Sequence, residues 1–206
     1  MISRPHQNSS LQLLFIIFFF SGCTALIYQI MWQRMLFTLF GVDLQSVTII
    51  ISVFMFGLGI GGLIGGYLAD KFNRSLLMFY IIIELNIALF GIASPWLIEA
   101  LGNYFISNNQ IITAVASFIV LSIPTTLMGA TFPIIVTYVN TLHHHIGRSV
   151  GELYCVNTIG GAMGAYLSGF ALLHYIDVVQ SIILAAIINL VIAIVALVFF
   201  RRHRDA

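Results

Sequence analysis

The chain has 206 residues, of which 60% are hydrophobic and 7% are Asp, Glu, Lys or Arg, against roughly 25% charged residues in an average soluble domain. Eight Lys/Arg and seven Asp/Glu are too few to give a domain of this length a water-compatible surface, so lipid is the expected solvent for most of it. A formal net charge of +1 offers no field to attract nucleic acid, and the charges inform through their positions.

A bilayer core of about 30 Å needs about 20 apolar residues in a helix. Six runs have that length: residues 11 to 33, 46 to 69, 76 to 98, 111 to 139, 150 to 174 and 181 to 200. A spanning segment must satisfy its own backbone, so each is expected to be helical. The expected fold is all-α, a six-transmembrane-helix bundle over residues 11–200, with residues 1–10 a cytoplasmic N-terminal segment and 201–206 a cytoplasmic tail.

In the first run, Phe20-Ser21-Gly22-Cys23 resembles the end of a bacterial lipoprotein signal, but the apolar sequence continues through Ala25, Leu26, Ile27 and Ile30. Tyr28, Gln29 and Gln33 form a polar group there, with Trp32 one turn from Tyr28. Tyr28 and Trp32 serve equally well as interface anchors, and Arg34 can snorkel outward toward Asp43. The second run spaces Gly57, Gly61 and Gly65 four apart on one helix face, where backbones can approach closely in either a static or a sliding seam. The third run contains Glu84 and Asn86. An ionisable group at the membrane centre costs roughly 2.5 to 3.5 kcal/mol on insertion scales and marks a polar interior or a hydrogen-bonded structural carboxyl.

The fourth run is long enough to tilt, and Pro124, Gly129 and Pro133 give it two places to bend. His143-His144-His145 follows it. Adjacent residues diverge by about 100° on a helix, and no Cys or carboxylate cluster accompanies them, so pH-dependent surface charge is expected rather than a metal site. The fifth run opens with Glu152, Tyr154, Asn157 and Thr158, a second polar group, and continues with Gly160, Gly164 and Ser168. Cys23 and Cys155 lie in apolar sequence and read as small packing residues, not a disulfide.

Orientation follows from the basic residues. Arg4, the pair Lys71 and Arg74, Arg148, and the group Arg201, Arg202 and Arg204 all fall on one side of a six-span arrangement, while Asp43, Glu99 and Asp177 fall on the other, leaving Arg34 near the outer end of the first span as the only exception. Both termini are therefore expected in the cytoplasm. Gly61 to Ala69 aligns with Gly160 to Ser168, and Ile82 to Ala88 with Ile187 to Ala193. Two halves of three spans would be related by inversion, as in inverted-repeat transporters. The alternative is that Gly-rich membrane helices resemble one another by composition alone.

Gly66-Tyr67-Leu68-Ala69-Asp70-Lys71-Phe72-Asn73-Arg74 resembles the loop motif between the second and third helices of the major facilitator superfamily. Asn73 stands where that family usually has Gly, and both residues tolerate positive φ. The resemblance implies a charge-relay clamp by Asp70 and Arg74 at the cytoplasmic helix ends. A helix cap and topology signal is the alternative role.

More widely, Phe20-Ser21-Gly22, Leu26-Ile27-Tyr28-Gln29, Trp32-Gln33-Arg34, Leu127-Met128-Gly129-Ala130-Thr131-Phe132-Pro133 and Gly147 to Gly160 resemble the membrane portion of spermidine-synthase-like membrane proteins, fusions of a transporter-like region with a spermidine synthase. In that family a cytoplasmic aminopropyltransferase-like domain commonly follows. The Gly-rich nucleotide turn and catalytic acid of that domain have no counterpart in these residues, so neither catalysis nor a cofactor is expected here. Two functions fit. One is a transporter-like protein, a homodimer because six helices are half of the usual twelve, that binds a small cationic, polyamine-like molecule through Glu84, Asn86, Glu152, Tyr154, Asn157, Tyr28 and Gln29. The other is a non-catalytic membrane subunit for a separately encoded synthase-like enzyme.

Overall fold

The structure is a computed structural model, and it describes residues 5–40, 44–105, 110–143 and 146–204. Helix α1 (Pro5–Phe40) is followed by α2 (Leu44–Lys71), a 3-10 turn (Asn73–Ser75), α3 (Leu76–Phe105), α4 (Gln110–His143) and α5 (Ile146–Leu167). The last continues through a π-helical turn (Ser168–Leu172) into α6 (Leu173–Tyr175), and α7 (Val178–Arg204) closes the order. Six helical stretches are long and apolar enough to cross a membrane, α5, the π turn and α6 together making one of them. No strand occurs among the described residues.

All six apolar runs lie inside these helices. The helices overshoot them because the flanking polar residues still favour intrahelical hydrogen bonds beyond the hydrocarbon boundary. Helix α4 runs unbroken through Pro124 and Pro133. Pro133 brings no N–H, so the Gly129 carbonyl loses its ordinary partner one turn on. After α6 the chain extends at Ile176 (φ −137°, ψ 160°). It re-enters a helix where Gln180 Oε1 accepts from the Asp177 N–H at 3.1 Å and Ser181 Oγ donates to the Asp177 carbonyl at 2.9 Å.

Helix pairing follows an exchange of the two halves. Helix α2 packs on α4 as α5 packs on α1, α3 packs on α4 as α7 packs on α1, and α3 and α7 meet each other. The glycines make the correspondence residue-specific. A Cβ on Gly61 would strike the Thr126 carbonyl and one on Gly65 the Ala130 carbonyl, just as Gly160 faces the Phe19 carbonyl and Gly164 that of Cys23. In return, Gly129 of α4 is pressed against Leu58, and Gly22 of α1 against Asn157. Residues 19, 22 and 23 thus do on α1 what 126, 129 and 130 do on α4. Composition alone would make the helices alike without reproducing this register.

Two local expectations are corrected. Tyr28 and Trp32 are fully buried and stack at 5.1 Å between centroids, so neither anchors the chain at an interface. Asn73 opens the 3-10 turn and does not take positive φ; the change of direction falls on Phe72 (φ −122°, ψ 46°). The two cysteines are free, Cys23 buried at the α1/α5 seam and Cys155 exposed on the outer side of α5.

Candidate functional site

Glu84 lies eight residues into α3 and is fully buried. Its Oε1 accepts from the Ser21 hydroxyl at 2.7 Å and its Oε2 from the Asn189 amide at 2.6 Å. The two donors come from α1 and α7, so one carboxyl ties together the three helices at this point. Glu84 and Asn189 are also partners in the internal repeat. A residue and its mate meet only where the symmetry axis passes, and the seam between α3 and α7 is that place. Tyr80, one turn before Glu84, is buried beside it.

A cavity of about 310 Å³ opens next to this cluster. Ser21 and Asn189 belong to both, whereas Glu84 stands behind them and does not line the space. The rest of the wall comes from both halves: Thr24 and Ala25 of α1, Thr131 and Phe132 of α4, Tyr154 and Asn157 of α5. Phe132 and Tyr154 meet edge to face at 6.2 Å. Close approach at the glycine seams brings helix backbones near this space, since Gly62 and Gly129 also line it.

The wall has a one-sided hydrogen-bonding character. Thr24 Oγ1 donates to the Ser21 carbonyl at 2.9 Å, and Thr131 Oγ1, its repeat mate, donates to the Met128 carbonyl at 2.7 Å. Ser21 and the Asn189 amide give their hydrogens to Glu84. The Asn189 Oδ1 is buried and has no hydrogen-bond partner among the described residues.

The profile of the Major Facilitator Superfamily matches residues 13–206, nearly the whole chain. The chain belongs to the Major Facilitator Superfamily. It is also 24% identical over 191 residues to a polyamine aminopropyltransferase of Oceanobacillus iheyensis, a match covering 91% of this chain and 36% of that relative. The chain thus spans about a third of the curated relative's length. No solved structure matches significantly. The resemblance to a fused spermidine synthase protein is supported only this far: a superfamily membrane domain with distant similarity to an aminopropyltransferase.

In this major-facilitator bundle the expected site residues separate into several places. Glu84 is in the cluster, and Tyr154 and Asn157 line the cavity. Asn86 is exposed on the opposite face of α3 and donates to its own Ile82 carbonyl at 2.7 Å. Glu152 accepts from Arg148 Nε at 2.7 Å in an exposed pair one turn apart. Tyr28 sits deeper, its hydroxyl against Gly91, and Gln29 beside it is half-buried. Asp70 is exposed at the end of α2, and Lys71 Nζ donates to Tyr67 Oη at 3.3 Å while lying over the Tyr67 and Phe72 rings. The side chains of Arg74 and of the histidine run 143–145, and the whole of Asp43, lie outside the described residues. No cluster of three metal-ligating side chains occurs among the described residues.

Sequence reasoning passed over Ser21, Thr24, Thr131 and Asn189 as site residues. Asn189 carried a signal, since the repeat sets it opposite Glu84. The hydroxyls carried none, because a Ser or Thr in a membrane helix is commonly satisfied by its own backbone.

Proposed function

We propose that this multi-pass protein resides in the bacterial inner membrane with both termini cytoplasmic, and binds or translocates a small cationic molecule of the polyamine class through the cavity beside Glu84. The single observation that supports this reading is a membrane-buried carboxyl held at the inter-repeat seam next to a two-sided cavity. Binding sites of repeat-built transporters form at such seams, near the bilayer midplane. Tyr154 and Asn157 are the cavity's α5 contacts, and a second copy supplies the remaining six helices of the usual twelve. Asp70, Lys71 and Arg74 form the cytoplasmic loop that holds one conformational state.

Purified protein in proteoliposomes carrying an inward-negative potential is expected to take up labelled 1,4-diaminobutane, and Glu84→Gln to abolish uptake while keeping the wild-type gel-filtration profile. Uptake by Glu84→Gln at the wild-type rate would remove the carboxyl from the function.

A second reading is favoured by the relative's name. Here the chain is a membrane subunit for a separately encoded aminopropyltransferase-like enzyme. That enzyme should co-purify from native membranes and be lost when the loop at Arg148 or the tail at Arg201 is replaced. Recovery of the pair unchanged in both variants would count against docking at those segments.

A further inference from the structure

We infer that the cavity wall beside Glu84 is a hydrogen-bond-acceptor subsite, in which Ser21 Oγ, Thr24 Oγ1, Thr131 Oγ1 and Asn189 Oδ1 select the N–H groups of a primary ammonium, with Glu84 as their positioning residue. This rests on the cation-binding reading above and deepens it.

A threonine hydroxyl that faces a carbonyl can only donate, so Thr24 and Thr131 spend their single hydrogens on the Ser21 and Met128 carbonyls and keep lone pairs alone. Ser21 spends its hydrogen on Glu84 Oε1. Asn189 directs its amide nitrogen to Glu84 Oε2, which leaves Oδ1 as its remaining polar atom, buried and unpartnered among the described residues. Four of the six polar side chains around the cavity, Ser21, Thr24, Thr131 and Asn189, therefore present acceptors. Tyr154 and Asn157, the two that keep donors, stand together on α5.

A carboxylate or phosphate ligand would find lone pairs facing lone pairs. A quaternary ammonium would bring charge but no hydrogen to give. A primary ammonium carries three donors and a positive charge that complements the carboxyl behind the wall. Glu84 touches no ligand in this arrangement. Its part is to hold the Ser21 hydroxyl and the Asn189 amide turned away from the cavity. A glutamine in its place carries an amide that must itself donate, and the natural takers are Ser21 Oγ and Asn189 Oδ1.

The test compares 1,4-diaminobutane with its fully N-methylated bis-quaternary analogue, of equal charge and spacing, binding to the whole protein in nanodiscs by calorimetry. A site built to bond an N–H rejects the analogue that lacks it, so the quaternary compound is expected to bind about tenfold or more weakly. Asn189→Leu should reduce diamine affinity by about tenfold and leave the quaternary compound's affinity unchanged. Ser21→Ala provides the same comparison if Asn189→Leu does not fold. A merely structural role would lower both affinities together, so the ratio is the decisive readout. Equal wild-type affinity for the two compounds would overturn the acceptor subsite and leave cation binding standing. Failure of both to bind would overturn cation binding itself and the subsite with it.

Discussion

A carboxyl in hydrocarbon needs partners, and Glu84 finds a hydroxyl and an amide rather than a cation. Those bonds are worth keeping because the alternative is an unsatisfied polar group where no water reaches. The same rule governs Trp32, whose Nε1 donates to Ser94 Oγ at 2.8 Å while Ser94 donates to the Gly91 carbonyl at 2.8 Å. Trp32→Phe and Ser94→Ala in detergent unfolding experiments should show a coupling near 0.6 kcal/mol, the average for bonds between membrane helices. Zero coupling would mean that the indole is held by ring packing with Tyr28, Phe54 and Phe90 alone. At this scale the sequence singled out Glu84, because a lone carboxyl in an apolar run needs explaining. It did not disclose that Asn86, two residues on, turns outward, because its exposure depends on which face of α3 the neighbours cover.

Among helices, contact is set where glycine lets one backbone reach another. Gly57, Gly61 and Gly65 face α4, and Gly160 and Gly164 face α1, while Gly59, Gly62 and Gly66 meet nothing within 4 Å. Sequence spacing picked out the first set as one helix face. It could not assign the partner, since four-residue spacing describes a helix and is silent about its neighbour. Gly61→Val places atoms against the Thr126 carbonyl and the Gly129 backbone, where no flexible side chain can yield. Its cost should reach or exceed the upper end of the ~1–3 kcal/mol range for overpacking. Gly59→Ala, in open space on the same helix, should leave stability within about 0.5 kcal/mol, as surface substitutions usually do. Thermal unfolding of the two variants in one detergent checks the contrast, and equal losses would mean that the seam is looser than its contacts imply.

For the whole molecule, the exchange of halves and the charge distribution make separate statements. The first is geometric and is visible in the matched glycine contacts. The second concerns the membrane: six crossings set Lys71 and Asp177 at opposite ends of the bundle, with the basic end expected inside. Single cysteines at Lys71 and at Asp177, introduced with Cys23 and Cys155 replaced, should react with an impermeant thiol reagent from opposite sides of the membrane, Asp177→Cys from outside intact cells. Labelling of both from one side would break the six-span arrangement and with it the inverted relation of the halves.

The sequence by itself determined the solvent, the number of crossings and the faces that carry glycine, because those depend on composition and on helical periodicity, which are local. Only the tertiary structure decided that Glu84 sits behind the cavity wall, that Asn189 meets it, and that the Ser21 hydroxyl gives its hydrogen to Glu84. Those are facts about which groups from distant helices are adjacent, and a periodic pattern along one helix holds no record of what lies across from it.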